Sequence, residues 1–168
     1  MHYHFGSKDG LVEEVLEDYA NGTIDRYRDI WTDSRTSLRD KVETIVRMSR
    51  GRYETYNPNG DKGEPWSLMI RLRSDSDALT PKMRSKLLEV SREFETLVRV
   101  GVRSSINSGE LRPGTPEDQV VIMLVNIIHY AGSVTRDHGT FKRLAELWEA
   151  TLATIENAYG QKKQSKST

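Results

Sequence analysis

The side chains whose spacing could do chemistry are few: His2 and His4, two residues apart, and Asn126 with His129, one helical turn apart. Imidazoles bind metals, but a metal site needs three or four converging ligands, and His2-x-His4 comes with no third. The chain has no cysteine, which removes disulfides, thiolate metal sites and cysteine nucleophiles. It carries no paired-carboxylate motif, phosphate-binding glycine loop or nucleophile elbow. Neither enzymatic activity nor a cofactor is therefore expected. Asn126 and His129 fit recognition better than catalysis, because a small-molecule pocket is mostly apolar with a few placed polar groups. Tyr53, Trp66, Met69 and Phe94, aromatic or soft residues on neighbouring helices, are the further candidates for such a ligand site. Each also has the ordinary reading of a core or surface position.

Composition bounds the classes left. The 168 residues are 36% hydrophobic and 30% charged, the profile of a soluble globular chain. Lys plus Arg (25) equals Asp plus Glu (25), so no overall basic field announces nucleic acid, although a protein that reads DNA with one helix needs none. The longest apolar run, 120–131, is too short to span a bilayer and contains Asn126 and His129. Met1 to Gly10 has no apolar segment of the kind found in a signal peptide. A cytoplasmic location with no membrane partner is expected.

Helical signals dominate the elements that must position these residues. Ser7 is placed to cap a helix from Lys8 to Trp31, carrying Leu11, Val15, Leu16, Tyr19, Ile24, Tyr27 and Ile30, with Asn21-Gly22 as a possible break. Ser37 opens a second helix to Tyr53, with Asp40 in a weak capping-box relation. The loop 56–64 is rich in turn formers. Pro65, Pro81 behind Thr80, and Pro116 behind Thr115 each mark a helix start. The Thr80 helix runs to about Ser108 with Gly109 as terminator, and the last helix runs from Thr140 to Gly160. The tail 161–168 is expected to be disordered.

Projected at about 100° per residue, the apolar positions of 120–135 cover an arc of roughly 220°, about twice what a surface helix needs. The last helix has a narrower stripe: Phe141, Leu144, Leu147, Trp148, Leu152, Ile155 and Tyr159. Either one chain's own core absorbs both helices, or a second copy packs on them about a two-fold axis. The second reading expects a homodimer interface at Val121, Leu124, Val125, Ile128, Leu144, Trp148, Leu152 and Ile155.

The opening residues, Met1-His-Tyr-His-Phe-Gly-Ser-Lys-Asp-Gly-Leu-Val12, resemble the close of the helix-turn-helix in the TetR family of bacterial transcriptional regulators. There the recognition helix ends in an aromatic-rich stretch and Phe, and a small turn residue, Ser-Lys and an acid start the next helix. Gly109-Glu110-Leu111-Arg112-Pro113 is likewise a common phrase in that family. A purification tag with a Gly-Ser scar would share the first residues but not the continuation in register.

The resemblance implies an all-α, TetR-like bundle. Its parts would be a recognition-helix remnant at 1–7, a connecting helix at 8–31, and a ligand-binding and dimerisation domain at 32–160. It implies a ligand-responsive regulator, in the commonest form a repressor, that holds operator DNA as a dimer and responds to a small-molecule effector. His2, Tyr3 and His4 match slots that face the major groove or nearby phosphates, Lys8 matches a backbone clamp, and Phe5 matches a packing residue. His2 departs from the usual Tyr. The family also has two helices before this motif, so residues 1–168 by themselves are expected to bind operator poorly. The alternative is a dimeric small-molecule-binding protein without DNA-binding activity.

Overall fold

A computed structural model describes residues 8–161 apart from 61, 76 and 78. Six helices follow in order: α1 (Lys8–Thr32), α2 (Leu38–Tyr56), α3 (Leu68–Ser74), α4 (Pro81–Asn107), α5 (Glu117–His138) and α6 (Lys142–Tyr159). Among the described residues no strand forms; one isolated backbone bridge joins Leu111 and Gly160. α1 lies along α4, α4 along α5, and α5 along α6, while α2 spans from α1 to α6 and the short α3 wedges between α1 and α5. The all-helical expectation therefore holds, and no described helix is long and apolar enough to cross a membrane. The expected groove-facing residues His2, Tyr3 and His4, the cap Ser7 and the tail beyond 161 lie outside the described residues.

Local chemistry explains several helix ends. Ser37 accepts from the Asp40 amide and Asp40 accepts from the Ser37 amide, a complete capping box. Thr80 accepts from the Met83 amide, with Pro81 in the first turn. Gly139 ends α5 in the left-handed conformation, at φ 62°.

Three expected boundaries differ. α1 runs through Asn21-Gly22 without a break, because Leu16, Ala20, Ile24, Tyr27 and Trp31 are buried on both sides of it. That packing outweighs the ~1 kcal/mol cost of one helical glycine. α3 begins at Leu68 rather than at Pro65: Ser67 caps it by accepting from the Ile70 amide, and Trp66 stays in the loop with its Nε1 donating to Thr135. Thr115 does not cap α5; its hydroxyl donates to the Arg112 carbonyl instead, and Arg99 and Arg103 grip Glu117 in the first turn.

The expected interface residues also need correction. Val121, Leu124, Val125, Leu144, Trp148, Leu152 and Ile155 are all at most 5% exposed within the single chain, and Ile128 is half-buried. The wide apolar arc of α5 has three intrachain neighbours, α3, α4 and α6, and these absorb most of it. The large apolar residues that α5 and α6 still present outward are Ile122, Met123, Tyr130 and Leu147.

Candidate ligand-binding site

A cavity opens where the middle of α1 faces α2, α3, α4 and α5. Its apolar walls are Tyr27 of α1, Met48 of α2, Trp66 before α3, Met69 and Ile70 of α3, Phe94 of α4 and Ile128 of α5. Tyr27 meets Phe94 edge to face, with ring centroids 4.7 Å apart, and His129 stands 6.3 Å from Phe94. The space that the centre of a water molecule can occupy is about 60 Å³, enough for a few waters but not for a drug-sized molecule. A ligand of ordinary size must widen it.

The polar atoms around the cavity are unevenly satisfied. Thr23 donates to the Tyr19 carbonyl and accepts from Arg26. Arg52 donates to the Tyr19 hydroxyl at 2.7 Å. Arg73 of α3 donates to the Ser91 hydroxyl at 2.9 Å and reaches the His129 carbonyl at 3.4 Å. His129 has its Nε2 buried without a hydrogen-bond partner. Burial, with the Arg73 guanidinium nearby and Glu95 only partly opposing it, holds this imidazole down at about 4, so it is neutral at physiological pH. Burial likewise pushes the Tyr27 phenol up, an effect tempered by Ser49.

A second, more polar cleft of about 460 Å³ shares Ile70, Arg73 and His129 with the cavity and adds Ser74, Ser91, Tyr130, Ser133 and Arg136. Among the described residues no aspartate or glutamate lines either space. Among the described residues there is no group of three or more His, Asp or Glu side chains that could hold a metal ion.

Of the ligand-site residues expected from sequence, Trp66, Met69, Phe94 and His129 come together around this cavity. Tyr53 and Asn126 do not. Tyr53 packs against Phe141, centroids 5.6 Å apart, and does not line the cavity, and Asn126 is exposed on the outer face of α5. Sequence reasoning missed Tyr19, Thr23, Arg52 and Arg73. Thr23 and Tyr19 carried a weak signal, as polar-tipped positions within the apolar stripe of α1; nothing separates Arg73 from Arg71 until their surroundings are known. Lys8, the expected phosphate contact, is exposed in the first turn of α1. Compared with models of known protein families, with curated proteins and with solved structures, the chain finds no match.

Proposed function

We propose that the chain is the sensing body of a ligand-responsive transcriptional regulator of the TetR type, a repressor that holds operator DNA as a homodimer. The observation that carries this reading is that α1 itself walls the cavity, through Tyr19, Thr23 and Tyr27. The same helix starts at Lys8, directly after the opening motif that resembles the end of a recognition helix. A molecule entering the cavity pushes on the element that would carry the DNA-reading head. Ligand can shift that element only through different affinities for two arrangements, and a cavity too small for an ordinary ligand in one arrangement supplies such a difference. Exposed Lys8 at a helix N-terminus is suited to a backbone phosphate. Ile122, Met123 and Tyr130 on α5, with Leu147 on α6, offer the apolar surface that a second copy would cover.

The test uses the protein expressed together with whatever coding sequence lies in frame before Met1, and DNA from the region upstream of its own gene. The expected result is a sequence-specific mobility shift by a dimer, reversed by a small molecule that also raises the melting temperature. Ligand binding by a dimer that retards no DNA specifically would replace this reading with the alternative, a small-molecule-binding protein with no operator.

A further inference from the structure

Arg73 is half-buried between the cavity and the polar cleft, and its two hydrogen-bond partners, the Ser91 hydroxyl and the His129 carbonyl, are both uncharged. Among the described residues no carboxylate lies within ion-pair distance of it. Several arginines elsewhere do carry acidic partners: Arg28 has Glu93, Arg39 has Glu149 and Glu156, and Arg99 and Arg103 share Glu117. Arg52, which also lines the cavity, has no acidic partner among the described residues and meets the hydroxyl and ring of Tyr19. A guanidinium taken partly out of water without a counter-charge is unfavourable, and its planar fork is shaped for a carboxylate.

We infer that the cavity takes an amphipathic organic anion, its apolar body against Tyr27, Trp66 and Phe94 and its carboxylate on the Arg73 guanidinium. The apolar walls disfavour a small inorganic anion, which would exchange its hydration for hydrocarbon. The absence of any acidic lining residue among the described residues disfavours a cation. The buried, unpartnered Nε2 of His129 lies on the same partition as Arg73 and supplies a further polar contact there. The cleft beside it, with Arg136 and three serines, gives such a molecule a polar way in. This assignment rests on the reading of the cavity as the effector site.

The experiment is calorimetric titration with 1-naphthoate and with 1-naphthamide, which share the ring and differ in charge. Because charge-assisted hydrogen bonds are about twice as strong as neutral ones, naphthoate should bind about ten-fold or more tightly, and Arg73→Gln should erase that preference while changing naphthamide affinity by no more than about two-fold. Arg73→Lys, which keeps the charge and loses the fork, should retain only part of it. Equal affinities in the wild type, or an undiminished preference in Arg73→Gln, overturn the anionic assignment while naphthamide binding keeps the cavity as a ligand site. If Arg73→Gln does not fold, an undiminished preference in Arg73→Lys overturns it instead. Failure of both compounds to bind the wild type overturns the anionic assignment and the effector-site reading together.

Discussion

α1 meets its neighbours in two opposite ways along its length. At its C-terminal end Trp31 is 0% exposed and lies so close to α4 that a Cβ added to Gly101 would fall 2.4 Å from the indole Cε3. Midway along, the same helix turns Tyr19, Thr23 and Tyr27 toward a cavity with an unpaired guanidinium and an orphan imidazole nitrogen. Close-packed interfaces deform little, whereas regions of low local contact density sit at the low-stability end of a fold. One helix thus combines a close-packed seam with a middle that borders a cavity, as the proposed sensing role requires.

Emptying the seam should do the most damage. Trp31→Ala is expected to cost ~3–5 kcal/mol, as for other large-to-alanine core changes, measured by urea denaturation; a cost similar to that of an exposed residue would mean the seam is not tight. Gly101→Ala should cost about 1–3 kcal/mol by overpacking, and a neutral result would show that the helices can separate easily.

The cavity side is probed through pH. His129 titrates at about 4 in the fold against 6.5 when unperturbed, so between those values the unfolded chain binds the extra proton and stability rises with pH. As pH falls from 6.5 toward 4, the wild type should therefore lose stability that His129→Leu keeps, a difference on the order of 5 °C in melting temperature for a chain of this size. Arg73 and Glu95 face the imidazole in both proteins, and carboxylate titrations are common to the two, so the difference isolates this ring. Parallel pH profiles would show that His129 is solvated. The smallest effect is expected on the outer surface: Arg39→Met removes ion pairs to Glu149 and Glu156, yet should change stability by less than about 1 kcal/mol because the pairs are solvent-screened. A larger loss would place that network among the structural seams.

What the sequence made legible was local. Thr80-Pro81 starts α4 and Gly109, at φ 79°, follows its end, since caps depend on residues within one turn. Pro65 misled because the loop before α3 is shaped by distant partners. Asn57 holds both the amide and the carbonyl of Glu64, and Gly63 sits against the backbone of Thr135. For the candidate site, aromatic and sulfur-bearing residues were visible by type. Asn126 and His129 seemed a pair, but three residues of helix turn them about 60° apart, enough to leave one in solvent and the other on the cavity wall. The apolar arc of α5 counted the positions needing cover without saying who supplies it, and most of the supply is the chain itself. Arg73 was invisible because what distinguishes it is its place between cavity and cleft without a counter-charge, a property of the folded surroundings only.

The phrase Gly109-Glu110-Leu111-Arg112 has a structural consequence beyond joining two helices. The Glu110 carboxylate accepts from the Leu38 amide at the start of α2, its carbonyl accepts from Gln161, and the Arg112 amide donates to Tyr159 at the end of α6. Lys41, buried beside it, donates to the Asp33 carbonyl and the Thr36 hydroxyl just beyond α1. Four chain segments are thereby knotted at one pole of the bundle, and α1 leaves that pole for about 37 Å toward its first residue, at 1.5 Å per residue. The knot anchors that end of α1, so the Leu38 and Arg112 amides should be among the slowest to exchange with deuterium whether or not the cavity is filled.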